Sequence, residues 1–371
     1  MAKGTIIYMG IFELPDKNAA AHRVINNGKV FTALGYRVVY LGTVKGEWFS
    51  GIRKSDYDDN IYEEAYPQGT KNWISHLFDI KNIDSVAEKY ADTCLVITYN
   101  VPLVTYKAVK KTFAKKNIKV AYDCTEWNDY TVGSFPKRFY KKIDEKQIRT
   151  KLHKNCDDII IISSMMERQY QGNNLLKLPP LIDIDEPIWH QKVEKNKRVF
   201  EFCFAGTIGA KERIDLIINA FKGLESSSVI LKIIGITREE YIQMYPEQNN
   251  DLDKRIVFMG RLSHFDTIRH VLSSDCYVFI RERTRQNQAG FPTKFAEAYT
   301  CGVPIISTDV SDIKYYSGDY VIVLENLNES SIVGKMNYLY NNRIHRNKVK
   351  STFDYHNFLR ETERWLNNVL R

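Results

Sequence analysis

In FAGTIGAKERID, residues 204–215, an apolar run meets a glycine-bearing turn, then a lysine, then a helix start. Such a turn aims backbone N–H groups and the positive end of a helix at an anion, and Lys211 adds a full charge beside Gly206. It is no Walker loop, because GxxxxGK[ST] is absent, and no GxGxxG follows the first apolar run, which weakens a dinucleotide reading. An ordinary strand-to-helix connection is the competing account. A second stretch, VFIRERTRQNQAGFPTKFAEA (278–298), places Arg281, Arg283 and Arg285 after another apolar run. If extended geometry persists there, alternate arginines share a side, and a guanidinium fork suits phosphate oxygens. Gly290 and Pro292 then break the chain, Thr293 opens a helix, and Glu297 lies about one turn in, able to accept from a pair of vicinal hydroxyls. Phosphate-binding cations beside a hydroxyl acceptor describe a site for a nucleoside diphosphate sugar.

These residues must be held by strands and helices, and the chain supplies both in alternation. TIIYM, RVVYL, CLVIT, KVAYD and DIIIIS read as strands in the first half. FEFCFAG, VILKIIG, RIVFMG, CYVFI, VPIIST and YVIVL do so in the second. Helical patterns lie between them, so βαβ units and parallel sheets are expected. Ala20, Val24, Gly28 and Phe31 share one helical face in the first crossover; Ile214, Ile217, Ile218, Phe221 and Leu224 form one stripe after the glycine turn. LLKLPPLIDIDEPIWHQKVEKNKR combines three prolines with a charged run and reads as a linker, which divides the chain into 1–190 and 191–371. The closing amphipathic segment YHNFLRETERWLNNVLR has no strand after it and is left able to pack on either domain, the first included.

The 371 residues suffice for two domains, each with its own core. No apolar run approaches a membrane span, and MAKGTIIYMG lacks the apolar region of a signal peptide. The six cysteines are scattered without a CxxC, as expected of reduced thiols in a cytoplasmic protein. Net charge is +8, and residues 103–154 alone hold fourteen Lys or Arg against five Asp or Glu. That basic stretch is either a solvated face or a contact for an anionic membrane surface or a phosphate-bearing substrate. Nucleic acid is the weakest partner, because no recognised binding motif accompanies the charge.

The stretch AGFPTKFAEAYTCGVPII resembles the donor domain of the retaining glycosyltransferases of glycosyltransferase family 4, and the resemblance covers nearly the whole chain. It implies a GT-B fold: α/β, two Rossmann-like domains whose parallel sheets face a central cleft, with acceptor bound by the first domain and donor by the second. Glu297 stands at the second of the family's two glutamates and Ala289 at the first, as in capsule and surface-polysaccharide transferases with a similar AGFPTKF. Gly206, Thr207 and Lys211 stand where the family has its Gly-Arg…Lys, so the arginine is missing and Arg281 or Arg285 is the expected substitute. Gly290, Phe291, Pro292, Thr293 and Lys294 complete the implied donor turn. Arg261, in FMGRLSHFDTI, falls in the implied base-binding turn, with a plain surface role as the alternative. PDKNAAAHRVINNGKVF resembles the loop and helix that border the cleft, which brings in His22 and Arg23. VAYDCTEWNDY resembles the acceptor-side segment, which brings in Asp123 and Glu126 as orienters of the acceptor rather than nucleophiles, with helix capping and turn formation as the alternatives.

The activity implied is transfer from a nucleoside diphosphate sugar, UDP-linked, to a glycan or lipid-linked glycan in surface polysaccharide synthesis. Neither metal nor other cofactor is implied: the acidic pairs at 183–185 and 251–253 sit in loop-like sequence, and cations and helix ends would meet the diphosphate. Two alternatives stay open. One is a nucleotide-sugar epimerase of the same fold. The other is a catalytically silent GT-B partner subunit, supported by Ala289 and Thr207.

Overall fold

A computed structural model describes residues 2–14, 18–45, 52–54, 61–68, 81–127, 135–194, 198–206, 209, 211–248, 252–318, 320–344 and 348–371. The chain divides into two compact units, Met1–Leu181 with Asp354–Arg371, and Ile182–Phe353. The first unit holds strands β1 (Thr5–Gly10), β2 (Arg37–Lys45), β3 (Ile52–Lys54), β4 (Ile61–Gln68), β5 (Thr93–Tyr99), β6 (Lys119–Cys124), β7 (Asp158–Ile161) and β8 (Asn174–Lys177). They form one sheet in the order β3-β4-β2-β1-β5-β6-β7-β8, parallel except for β3 against β4. The second unit holds β9 (Phe200–Ala205), β10 (Val229–Ile234), β11 (Ile256–Phe258), β12 (Cys276–Phe279), β13 (Ile305–Thr308) and β14 (Val321–Leu324), all parallel, in the order β11-β10-β9-β12-β13-β14.

In both sheets the chain winds outward from its first strand on one side and then returns to the other. This places a topological switch point between β1 and β5 in the first unit and between β9 and β12 in the second. Open parallel sheets bind ligands outside the carboxyl ends of the strands at such points.

Helix spacing translates into burial as the periodicity requires. In the helix Ala19–Ala33, capped by the Asn18 side chain, Val24, Gly28 and Phe31 are buried as expected, while Ala20 is half-buried and Ala21 takes the buried place beside it. A Cβ on Gly28 would stand 1.7 Å from the Tyr40 hydroxyl, so this face admits only glycine at the point of closest approach. The helix Ile214–Lys222 buries Ile214, Ile217, Ile218 and Phe221 against the second sheet. Each such side chain contributes about 1.5–3 kcal/mol on leaving water.

The unit boundary falls earlier than the proline-rich linker suggests, at 181/182 rather than 190/191. Residues 182–191 already pack with the second unit: Ile182 N–H donates to the Phe353 carbonyl at 2.8 Å, Trp189 meets His264 edge to face, and Gln191 donates to the Phe265 carbonyl at 3.0 Å. Local composition marked a flexible stretch, but contacts distant in sequence decide where it belongs. The closing helix Leu359–Val369 lies with the first unit, where Trp365, Leu366 and Val369 join the core and the Trp365 indole donates to the Asn174 carbonyl at 3.0 Å.

Candidate functional site

At the switch point of the second unit, β9 ends at Ala205 and Gly206 follows with φ +132°, a value that favours glycine. A Cβ there would lie 2.1 Å from the Lys294 side chain, so Gly206 clears the path of Lys294 as well as turning the chain. Further on, Glu212 and Arg281 form an isolated antiparallel bridge, and Arg213 N–H donates to the Ile280 carbonyl at 3.1 Å. These bonds hold Glu212 and Arg213, at the entry to the helix Ile214–Lys222, against the end of β12. The Thr308 hydroxyl donates to the Arg281 carbonyl at 2.7 Å and accepts from the Arg281 N–H at 3.0 Å, fixing that residue from the β13 side.

The result is a buried three-residue constellation. The Glu212 carboxylate accepts from Arg281 Nη2 at 2.6 Å and from Lys294 Nζ at 3.0 Å, with side-chain exposures of 5%, 14% and 19% for Glu212, Arg281 and Lys294. Burial by itself would raise the Glu212 carboxyl, but Lys294 and Arg281 outweigh it and hold the group below its ordinary value. Burial lowers the Lys294 ammonium below the usual lysine range, against the opposing pull of Glu212. Arg281 lies over the Phe279 ring at 4.9 Å and Lys294 over Phe204 at 5.3 Å. Arg281 Nε is buried and has no hydrogen-bond partner among the described residues. Buried donors without partners are rare, so a site that leaves one has bonding capacity in hand.

Glu297 lies on the same helix as Lys294, Thr293–Thr300, with its carboxylate 3.1 Å from His264 Nε2. The sequence singled out Lys294 and Glu297 but not Glu212 or His264. A carboxylate next to the expected Lys211 gave no local sign that it would gather cations from two distant segments. Lys211 itself is half-buried just before the helix Ile214–Lys222. Thr207 lies outside the described residues.

Several expected members are placed elsewhere. The alternating arginines do not share a side, because β12 ends at Phe279 and Thr284 caps a new helix, Arg285–Ala289. Arg281 turns inward, Arg283 meets Asp309 at 3.2 Å on the surface, and Arg285 is exposed. Phe291 is buried in an aromatic cluster with Phe295, Tyr316 and Phe353, and Pro292 is buried beside it, so the turn 290–293 contributes its rings to the core rather than to a ligand. Gly290 is extended and its N–H closes the preceding helix onto Gln286. Ala289 is fully buried. Arg261 is 70% exposed and pairs with Glu240 at 2.8 Å, a surface ion pair at the start of the helix Arg238–Met244.

In the first unit, Asp123 is fully buried and Arg23 is 6% exposed. Asp123 accepts from Arg23 Nη2 at 2.8 Å and Nε at 3.2 Å, from the Tyr8 hydroxyl, and from Asn27 at 3.4 Å. Arg23 Nη1 also donates to the Leu178 carbonyl at 2.9 Å. Burial opposes the Arg23 charge, yet Asp123 holds its pKa above the ordinary value, while burial and the Asp123 charge drive the Tyr8 phenol well up. Asp123 and Arg23 are therefore internal braces, because the inward face of β6 directs the carboxylate into the core. Glu126 and His22 are half-buried. Among the described residues no group of three or more His, Cys, Asp or Glu is placed to hold a metal ion, and no helix is long and apolar enough to cross a membrane.

Residues 185–352 match the family model of glycosyl transferases group 1, which covers nearly all of the second unit. Among curated proteins none matches the chain by sequence. Similar solved structures span both units. A sucrose-phosphate synthase from Thermosynechococcus elongatus superposes with a TM-score of 0.74 at 12% identity, covering 99% of each chain. A glycosyltransferase from Rickettsia africae gives 0.70 at 14% identity, covering 100% of this chain and 99% of its own. Anabaena HepE, solved with UDP and glucose, gives 0.68 at 11% identity, covering 98% of this chain and 100% of its own.

The fold is GT-B. Together with the group 1 match on the second unit, the GT-B neighbours support a glycosyltransferase. The constellation at Glu212 sits in the GT-B unit that carries that match.

Proposed function

We propose that the protein is a retaining glycosyltransferase. It moves a hexose from a nucleoside diphosphate sugar, UDP-linked, to a glycan or lipid-linked glycan acceptor in cytoplasmic surface-polysaccharide synthesis. The observation that carries this reading is one buried carboxylate, Glu212, shared by Arg281 and Lys294 at the switch point of the unit that matches glycosyl transferases group 1. A diphosphate offers those two cations a more highly charged partner than a single carboxylate. HepE, solved both with UDP-glucose and with UDP and glucose, supports a UDP-linked donor.

In this reading the bond between the sugar's anomeric carbon and the diphosphate oxygen breaks while the acceptor oxygen bonds to that carbon. The acceptor's proton passes to the departing diphosphate. Arg281 and Lys294 stabilise the charge that develops on the leaving oxygen, the kind of preorganised donor whose loss costs on the order of a hundredfold in turnover. Lys211, at the helix start, and Arg285 lend further positive potential. Glu297 accepts the ribose hydroxyls with His264 fixing its carboxylate, Gly206 and the 290–293 turn shape the donor's seat, and Arg261 lies on the base side. Glu126 and His22 belong to the acceptor side. Neither metal nor other cofactor is invoked.

Incubation with a panel of UDP-, GDP- and ADP-sugars, read by thermal shift and by nucleotide release with and without an oligosaccharide acceptor, tests the reading. Stabilisation by a UDP-sugar and acceptor-dependent release are expected, since a bound ligand raises the melting point by mass action. No shift with any donor overturns it. Binding without release favours a second reading, a silent GT-B partner subunit, for which the buried Ala289 in place of a glutamate is the supporting observation.

A further inference from the structure

The helix Phe135–Lys151 of the first unit has a charge arrangement that the donor site does not explain. Its acids point inward: Asp144 accepts the Leu103 N–H at 3.0 Å, and Glu145 is 7% exposed and pairs with Arg149 at 3.2 Å. Its outward face is built from two adjacent rows. One row, at spacing i, i+4, i+8, is apolar: Phe135, Phe139 and Ile143 are 71%, 58% and 40% exposed. The two phenyl rings stack on each other with centroids 6.2 Å apart. The neighbouring row, at the same spacing, is basic: Arg138, Lys142 and Lys146, all exposed.

Single exposed apolar side chains are ordinary, but an aligned aromatic row beside an aligned basic row on one helix is not. We propose that this face lies in the surface of a bilayer carrying anionic headgroups, with Phe135, Phe139 and Ile143 entering the acyl boundary and Arg138, Lys142 and Lys146 meeting the lipid phosphates. Interfacial helices have this composition: a basic polar face, aromatic and aliphatic residues beside it, and low overall hydrophobicity. Charge complementarity selects the bilayer over a second copy of the chain. Two copies docking through this face would bring like-charged rows together. A stable protein interface also needs about 800 Å² from each partner, far more than three side chains in a row present. The inference uses side chains of the first unit only, so it stands or falls separately from the transferase reading.

Cosedimentation with vesicles tests it, comparing phosphatidylcholine alone with phosphatidylcholine plus phosphatidylglycerol. The unaltered protein is expected to bind the anionic vesicles at low salt and the neutral ones weakly. F135S/F139S should weaken anionic-vesicle binding by roughly tenfold or more, reflecting lost apolar insertion. K142E/K146E should weaken it as well and flatten its salt dependence. All four side chains are exposed, so both variants are expected to melt with the unaltered protein and to show its UDP affinity. Anionic-vesicle binding that is absent, or equal in F135S/F139S, overturns the proposal. So does a dimer in sedimentation velocity that the same substitution dissociates, which would assign the face to a second copy. Loss of UDP binding by the unaltered protein, with vesicle binding retained, would count against the transferase reading alone.

Discussion

Each unit buries an ion cluster, and the two clusters solve opposite problems. In the first unit one guanidinium meets one carboxylate through two of its nitrogens, and Tyr8 and Asn27 add further bonds to Asp123. Charge is balanced, Arg23 Nη1 donates to the Leu178 carbonyl, and the buried atom left without a partner among the described residues is an acceptor, Asn27 Oδ1. In the second unit a single carboxylate is divided between two cations from different segments, and Arg281 Nε finds no partner among the described residues. The first arrangement offers an anion nothing, because its unpartnered atom is itself an acceptor. The second gains from an anion, which would take over bonds that Glu212 now shares. A buried charged cluster marks an anion site when it holds excess positive charge and an unpartnered donor, not merely when it is charged.

The largest effect that this comparison predicts is on stability. Asp123→Ala leaves Arg23 buried without a counter-charge and should cost about 3–5 kcal/mol, read by urea denaturation, with the UDP affinity of the folded fraction unchanged. Lys294→Ala should cost far less stability than Asp123→Ala. A reversed order would erase the distinction between brace and site.

A smaller effect sharpens the second cluster. Glu212→Gln removes the carboxylate that holds two cations together, and stability should fall by about 1–3 kcal/mol. Saturating UDP should recover part of that loss, because the diphosphate supplies the missing negative charge. A deficit that UDP leaves unchanged would make Glu212 a structural residue of the first kind.

The smallest predicted effect is a pH dependence. Burial lowers the Lys294 pKa, so between its folded value and the ordinary lysine value near 10.4 the unfolded chain holds a proton that the folded apo protein has released. Stability from this group therefore rises with pH across that window, as expected when the unfolded state binds more protons. UDP binding needs the ammonium, so affinity should fall through the same window and binding should take up a proton there. Lys294→Arg, which keeps its charge, should remove this alkaline limb. Calorimetry in buffers of different ionisation enthalpy measures the uptake.

Much of this architecture was legible in the sequence for simple reasons. Short β-branched runs alternating with helical spacing force parallel sheets, and the stripe from Ile214 to Phe221 is buried as its period demands. Gly206 was legible as part of a phosphate-binding turn, and Lys294 entered with the donor turn that the resemblance implies. Their mutual dependence was not, because the clash that a Cβ would make with Lys294 joins residues from different βαβ units. The arginine series misled for the same reason: strand spacing was extrapolated past Phe279, whereas Thr284 starts a helix and scatters Arg281, Arg283 and Arg285. Asp123 is brought in by the resemblance of VAYDCTEWNDY to an acceptor-side segment, and only the fold reveals the buried Arg23 paired with it.

The central claim is that the cations shared by Glu212 receive a nucleoside diphosphate. Isothermal titration of UDP into the unaltered protein and into Lys294→Ala, at neutral pH and fixed salt, addresses it most directly. Loss of a charge-assisted bond worth roughly 1.5–3 kcal/mol corresponds to a rise in Kd of about ten- to a hundredfold, which is the predicted result. UDP bound equally well by both proteins would contradict the claim and return Lys294 and Glu212 to the class of internal braces that Arg23 and Asp123 represent.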